Sequence, residues 1–371
     1  MNEPRIGPWK KSDEDLDFQQ ADHWYKGEHC HRYPADRPLS VADVMQGWAP
    51  ERPLISRSSR VIAFGSCFAE YFIAFLGERG YNQWRIPAEA HGLSEEPLLL
   101  SLGNTFENAF VVVQQFRWAF GEFTPASHLW FTKDKKYFEA TDERRRNIRA
   151  NLEDADVAVV TLGMSEVWYD RLDGEVLWRS IPARLYDPER HVFKVATVEE
   201  TTAALHELHR IVARFLPRLQ LVFTLSPIPF VATFRNQSPV TANSISKAIL
   251  RAALDAFLSI PEVAATGRCH YFPSYELALS LFDSPFSSDN RHVKPEVVAL
   301  ILSAFSQAYT DLPVETAEPL EETRLAAAGS QQTIRALQEK LREKEQVIRD
   351  LDRAARERLA LIEKLSAALP R

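Results

Sequence analysis

Residues 60–69 read Arg-Val-Ile-Ala-Phe-Gly-Ser-Cys-Phe-Ala, and this stretch decides the fold of the chain. An apolar run ends at Gly65, Ser66 and Cys67, and an amphipathic stretch then continues to Gly80. A buried strand, a turn of small residues and a helix form the unit that presents a nucleophile at the carboxyl edge of a parallel sheet. The turn holds a hydroxyl and a thiol at a helix N-terminus, where unpaired N–H groups stabilise negative charge.

A second polar stretch, Ser288-Asp-Asn-Arg-His292, sets a carboxylate three residues before an imidazole. A nucleophile early in the chain and Asp-x-x-His near its end is the order of an acyl-transfer triad. In such a triad His292 would accept the proton of the nucleophile, and Asp289 would fix the imidazole tautomer. Pro295 then opens the final predicted helix. The alternative is a surface loop in which Asp289 only caps that helix.

Between residues 60 and 310, short apolar runs alternate with longer stretches of helical periodicity. Continuous apolar strands indicate a sheet that is buried on both faces, with 61–64 as a central strand. Strands separated by helices predict an α/β fold, a three-layer α/β/α sandwich with a mostly parallel sheet. Residues 168–195, with a strand-like piece at 175–178, are expected to be an insertion near the carboxyl edge. The predicted strands are 60–65, 82–86, 155–163, 219–225 and 268–272, and the predicted helices are 68–79, 105–120, 143–152, 198–216, 242–259 and 294–309.

Composition divides the chain into four segments. Residues 1–57 are polar but rich in aromatic side chains, which predicts an N-terminal arm that packs on the body. Residues 58–312 form the α/β domain, and residues 313–332 have the composition of a linker. Residues 333–371 carry apolar heptads among charged residues, which predicts a coiled-coil helix and a homo-oligomer joined through 333–369. A lone charged helix is the alternative, because Lys344 and Arg358 interrupt the apolar seam.

Bulk properties exclude several classes of protein. The net charge of −7 argues against a nucleic-acid partner. The three cysteines show no Cys-x-x-Cys spacing, which is typical of a reducing compartment, and no metal or cofactor motif is apparent. The N-terminus lacks the apolar region of a signal peptide, and the longest apolar stretch falls far short of the ~20 residues that cross a membrane. We therefore expect a cytoplasmic protein with no membrane span, and the absence of a Gly-rich phosphate loop disfavours nucleotide binding.

The stretch Phe64-Gly-Ser-Cys-Phe-Ala-Glu70 resembles the signature of the GSCFA-domain family. That family is similar to the SGNH (GDSL-like) esterases and acyltransferases. The resemblance continues at 161–168, 226–229 and 242–247 and ends at 288–292, so it covers roughly residues 55 to 310. It implies an SGNH-hydrolase-like fold and the hydrolysis or transfer of an O-acyl group, most plausibly acetyl.

The resemblance also implies which residue is the nucleophile. The first block of the wider superfamily reads Gly-Asp-Ser, with the serine as nucleophile. When that block is laid on this chain without a gap, Cys67 falls on the serine and Ser66 on the aspartate. Cys67 is therefore the better candidate, and Ser66 remains open if the turn is shifted by one residue. The alternative for both is structural, a buried cysteine beside a serine that caps the helix.

An oxyanion hole needs two or three N–H donors, the first of which would be the backbone N–H at Ser66 or Cys67. In the third block Ser165 stands where the superfamily has an asparagine amide, so Asn104 or a backbone amide would replace that donor. Asn243 lies at the start of a predicted helix, where it would cap the helix or contact substrate. The further oxyanion and substrate-binding residues that the resemblance implies are Gly103, Asn104, Gly163, Ser165, Glu166 and Asn243.

Two function hypotheses follow. The first is an enzyme that hydrolyses or transfers the acyl group of an acylated small molecule or carbohydrate. The carbohydrate is implied by resemblance to carbohydrate-acting relatives, and Trp168, Tyr169 and Trp178 would stack on a sugar ring or belong to the core. The second is a catalytically inactive relative that assembles a complex through its coiled coil, which the unusual Ser-Cys pair and the departure at Ser165 favour.

Overall fold

Two β-sheets form the centre of the protein. The computed structural model describes residues 33–34, 37–65, 67–81, 108–126, 129–130, 139–178, 181 and 183–311, with the backbone alone for 67–70. Four strands form a parallel sheet in the order β1-β2-β5-β6, and two more form the antiparallel pair β3–β4. The strands are β1 (Val61–Phe64), β2 (Val157–Leu162), β3 (Glu166–Asp170), β4 (His191–Val195), β5 (Gln220–Leu225) and β6 (Cys269–Phe272).

Helices cover both faces of the parallel sheet, which confirms the predicted α/β fold with parallel strands. The longer helices lie where periodicity predicts them. The short helices α1, α7 and α8 and a 3₁₀ turn at Ala183–Leu185 are additional to the prediction. The helices are α1 (Val41–Met45), α2 (Cys67–Glu78), α3 (Ala109–Ala119), α4 (Asp142–Asp154), α5 (Val198–Phe215), α6 (Pro239–Leu258), α7 (Pro261–Ala264), α8 (Ser274–Leu281) and α9 (Pro295–Tyr309).

The sheet separates two hydrophobic cores because successive strand residues point to opposite faces. Ile62 and Phe64 of β1 pack in a core formed with α3 to α7. Val61 and Ala63 pack in the other core, formed with α1, α2, α8 and α9. All residues of β1 and β2 are buried, as the continuous apolar runs predict.

The predicted central position of β1 depends in part on residues outside the described ranges, so it stays a prediction. Among the described strands, β1 pairs with β2 alone, and its register places Phe64 opposite Val160. The predicted strand at 82–86 lies outside the described residues.

The insertion after β2 contains a hairpin that the sequence analysis does not predict. The expected strand at 175–178 makes only an isolated bridge, between Val176 and Tyr169, and the paired strands are β3 and β4. The fully buried Asp170 of β3 forms an ion pair with Arg190 at 2.5 Å, next to β4. The pairing joins segments about twenty residues apart, so no local pattern of alternation reveals it.

The chain before β1 contacts the end of α9. The N–H groups of Leu54 and Ile55 both donate to the carbonyl oxygen of Tyr309 at 2.9 Å. The Trp48 ring lies 5.0 Å from the ring of Tyr271. The predicted linker and coiled coil, residues 313–371, lie outside the described residues, and within the described part no helix is long and apolar enough to cross a membrane.

Candidate active site

The turn after β1 depends on a glycine. Gly65 has a φ of +130°, which residues with a side chain rarely adopt. A Cβ atom there would lie 2.6 Å from both Cβ and the carbonyl oxygen of Thr161 in β2. The close approach brings the turn against the carboxyl end of β2, and α2 begins two residues later at Cys67. Ser66 and the side chain of Cys67 lie outside the described residues, so their roles remain predictions.

Asp289 and His292 form a hydrogen-bonded pair in the loop between α8 and α9. The carboxylate atom Oδ2 of Asp289 contacts Nδ1 of His292. Oδ1 accepts the backbone N–H groups of Arg291 and His292, each at 3.0 Å. Asn290 has a φ of +59°, the left-handed conformation that asparagine tolerates in a tight turn. The loop thus holds the imidazole by one nitrogen and leaves 61% of its side-chain surface exposed.

The electrostatics of the pair favour an ionised carboxylate. The two backbone N–H groups and the His292 imidazole lower the pKa of Asp289 to about 2, with the N–H of Arg291 as the largest cause. A carboxylate that stays ionised at neutral pH can hold the N–H of the imidazole and stabilise an imidazolium. The pair therefore has the chemistry of a general base, the imidazole, and of a carboxylate that orients it.

The loop of Asp289 and His292 contacts the loop that follows β5. Arg291 donates from Nε to the carbonyl oxygen of Pro229 at 3.2 Å. The N–H of the next residue, Phe230, donates to Oδ1 of Asn243 in α6 at 3.4 Å. These two contacts place the histidine loop near the carboxyl ends of the parallel strands, the edge where ligands bind in open α/β sheets.

Three of the predicted binding residues lie directly after β2. The carbonyl oxygen of Gly163 accepts a hydrogen bond from Nζ of Lys247 at 2.7 Å. Ser165 is buried, and its N–H and hydroxyl both donate to Oγ of Ser246, at 2.8 and 3.2 Å. In this arrangement both donors of Ser165 are engaged, so its predicted place in an oxyanion hole would require that pair to separate.

Glu166, the first residue of β3, is a buried carboxylate beside the same loop. Burial raises its pKa, while a hydrogen bond of 2.6 Å from Oγ1 of Thr233 and the charge of Arg235 act in the opposite direction. Thr233 has no local sequence signal, because its partner lies far away in the chain. Sequence reasoning therefore missed the contact that orients Glu166.

Asn243 lies inside α6, so the expectation that it caps this helix is wrong. The helix begins at Pro239, and Ser238 is the N-cap, whose side chain accepts the N–H of Val240. Pro at the first helical position after a serine is a start signal that the sequence itself carries. Asn243 instead binds the loop after β5, and Ser246 and Lys247 follow on the same face because residues three and four apart are neighbours on a helix.

The three aromatic residues considered for sugar stacking have different surroundings. Trp178 is buried in the core, with its ring 5.6 Å from the ring of Trp130. Trp168 and Tyr169 are only partly buried, and the ring of Trp168 lies 4.8 Å from that of Phe234. Phe234 is 60% exposed, so it offers an aromatic face to solvent on the loop after β5.

The structure thus brings two groups of predicted residues together. Asp289 and His292 form one group, and the residues after β2 form the other with Asn243. Gly103 and Asn104 lie outside the described residues, so their binding roles remain predictions. Within the described ranges, no cluster of three or more His, Cys, Asp or Glu side chains is arranged to hold a metal ion.

Comparisons with known proteins identify the family of this chain but not its activity. One similar solved structure is LAE5, described as an alpha/beta hydrolase enzyme from the metagenome of Lake Arreo, Spain. The match has 16% identity and a TM-score of 0.33, and it covers 69% of this chain and 97% of that chain. At those values the likeness carries no argument about function. No curated protein matches this chain.

The family comparison covers the whole parallel sheet and the candidate site. The model of the GSCFA family matches residues 60–305, which run from the start of β1 into α9 and include Cys67 and His292. The match spans about two thirds of the chain, and this protein belongs to the GSCFA family.

Proposed function

We propose that this protein is an acyl hydrolase or acyltransferase that acts on O-acyl esters, in particular acetyl esters of a carbohydrate or polysaccharide precursor. The observation that carries the proposal is the Asp289–His292 pair, which holds the imidazole through Nδ1 and leaves the ring exposed. A general base needs this arrangement, because the second ring nitrogen must face the proton that it removes. The glycine turn into α2 supports a nucleophile at Cys67 or Ser66.

The proposed reaction has two steps. The Cys67 thiol gives its proton to Nε2 of His292, and the sulfur attacks the ester carbonyl carbon. The tetrahedral intermediate collapses, the bond to the alcohol oxygen breaks, and the imidazolium returns its proton to that oxygen. Water or a second hydroxyl then gives its proton to Nε2 and attacks the thioester carbonyl carbon. The C–S bond breaks, the imidazolium returns the proton to sulfur, and a carboxylic acid or a new ester leaves. With Ser66 as nucleophile the intermediate would be an oxygen ester.

Support for a carbohydrate substrate comes from the loop after β5. This loop carries Pro229, which contacts the histidine loop, and Phe234, whose exposed ring packs edge-on against Trp168. An exposed aromatic ring can stack on the apolar face of a sugar. Phe234 thus replaces the buried Trp178 as the candidate for stacking.

The test is turnover of p-nitrophenyl acetate and of acetylated sugars by the full chain. We expect His292→Ala and the substitution of the true nucleophile to lower kcat by about 10³-fold or more, because triad members act as a unit. His206→Ala on α5, where the imidazole pairs with Glu262 at 3.2 Å, is the matched control and should retain full activity. Because the His292 side chain is 61% exposed, the variant should fold as the wild type does, and circular dichroism checks this.

Labelling identifies the nucleophile. If it is Cys67, iodoacetamide should inactivate the enzyme and modify Cys67 ahead of Cys269, whose pKa burial raises to about 12. If it is Ser66, Cys67→Ala should keep substantial activity and a fluorophosphonate should label the protein. The scaffold alternative would be favoured by absence of turnover on every acyl substrate and no effect of His292→Ala.

A further inference from the structure

Lys247 is a charged residue in the interior of the protein. Its side chain lies in α6 with 2% of its surface exposed. A lysine is rarely buried to this extent, because removing an ammonium from water is costly unless hydrogen bonds compensate. We therefore expect the side chain of Lys247 to form hydrogen bonds that compensate for its burial.

The ammonium joins two loops at the carboxyl edge of the parallel sheet. Nζ donates to the carbonyl oxygen of Gly163 at 2.7 Å and to that of Ile228 at 3.0 Å. Gly163 directly follows β2, and Ile228 lies three residues after β5. Since β2 and β5 are adjacent strands, one side chain fixes the two loops that leave them.

Two neighbours of Lys247 on the same helical face continue this arrangement. Ser246 accepts the N–H and hydroxyl of Ser165 after β2, and Asn243 accepts the N–H of Phe230 after β5. We call Asn243, Ser246 and Lys247 the α6 clamp. Both loops are held at two points, by polar groups from a single helix.

The clamp binds the loop after β2, and the end of β2 lies beside the turn that begins α2. Phe64 pairs with Val160, and Gly65 lies against Thr161, so the chain leaves β1 next to the last residues of β2. The carbonyl of Gly163, which Lys247 holds, comes directly after that strand. Lys247 thus binds a loop at the same edge of the sheet from which α2 starts at Cys67.

We propose that Lys247 is a positioning residue of the acyl-transfer site, whose ammonium fixes the loops after β2 and β5 and whose charge favours the negative tetrahedral intermediate. This inference rests on the proposed function. An interaction that is realised only in the transition state lowers kcat when it is removed and leaves KM nearly unchanged. A purely structural lysine would instead affect stability, or KM and kcat together.

The test is steady-state kinetics of Lys247→Met with p-nitrophenyl acetate. Methionine matches the length of the apolar stem and removes both the charge and the donors. We expect kcat to fall by about tenfold or more while KM stays within about threefold. If Lys247→Met does not fold, Lys247→Gln keeps amide donors without the charge and is judged by the same split between kcat and KM.

The matched control is Arg251→Met, one turn further along α6. Arg251 donates to Glu276 at 2.9 Å and to Asp255 at 3.2 Å. Its substitution should lower the thermal midpoint of unfolding without changing kcat. Wild-type kcat in a folded Lys247 variant, while His292→Ala is inactive, overturns the role of Lys247 alone. A loss of kcat/KM in the Lys247 variant that comes from a higher KM, with kcat unchanged, also overturns this role. Absence of turnover by the wild-type protein overturns the proposed function and this inference with it.

Discussion

Arg291 donates from Nε to the carbonyl oxygen of Pro229 at 3.2 Å, and this bond joins the histidine loop to the loop after β5. The neighbouring residue, Phe230, is bound in turn by Asn243 of the α6 clamp. A short chain of contacts therefore connects His292 to the groups that hold the ends of β2 and β5. The histidine has a fixed position relative to the sheet even though its ring is exposed.

Loss of that bond should reduce activity more than stability. We expect Arg291→Ala to lower kcat/KM by about tenfold, since small displacements of a catalytic group are costly. The free energy of unfolding in urea should fall by about 1 kcal/mol or less, because the side chain is partly exposed. Arg149→Ala, which removes an exposed pair with Glu153 on α4, is the control for kinetics. Equal kcat/KM in the two variants would contradict the expectation.

The carboxyl group of Asp289 should titrate well below an ordinary aspartate. Its pKa is lowered from 3.8 to about 2, so the folded state holds the proton more weakly than the unfolded state. The resulting contribution to stability is present above pH 3.8 and is lost as the pH falls towards 2. The ¹³C resonance of this carboxyl should therefore remain that of the ionised form at about pH 3. A midpoint near 3.8, as in the urea-unfolded chain, would show that the pair does not persist in solution.

Gly65→Ala should destabilise the protein strongly. The new methyl group would meet Thr161 at 2.6 Å, and the φ of +130° would be strained as well. Together these effects should cost about 3 kcal/mol or more, measured by chemical denaturation. Gly174→Ala is the matched control, because Gly174 has a φ of +72° and no atom within 4 Å of the added Cβ. Only backbone strain of ~1 kcal/mol is expected there, and equal losses in both variants would rule out the steric explanation.

Removal of residues 333–371 should change the oligomeric state. The predicted coiled coil would join copies of the chain, so the truncated protein should have a lower mass in multi-angle light scattering. Turnover of a small ester should stay largely intact, since the candidate site lies within residues 60–305. An unchanged mass would favour a lone charged helix.

The parallel sheet could be predicted because its strands carry their signal locally. Residues 157–160 are apolar without interruption, and such a run indicates burial on both faces wherever it occurs. The pairing of β3 with β4 has no such signal, since the two strands lie about twenty residues apart in the chain.

The candidate site could be predicted only in part, for the same reason. Asp289 and His292 are three residues apart, so one short loop brings them together and the sequence shows their spacing. Ser165 meets Ser246 across 81 residues, and nothing near either residue indicates that contact. The sequence predicts that Lys247 lies in a helix, but its burial and its two carbonyl partners follow from the tertiary structure alone.

The contact between Ile55 and Tyr309 has a consequence for how the protein is made. The core that contains them is built from the chain before and within α2 and from α8 and α9, so it joins the first and last described segments. Contacts of such long sequence separation form late, and a ribosome must release residue 309 before they can close. The histidine loop lies between α8 and α9. Catalytic competence should therefore appear only after residue 309 has left the ribosome and this core has closed, and a chain interrupted before Asp289 would carry the turn at Gly65 without the proposed proton acceptor.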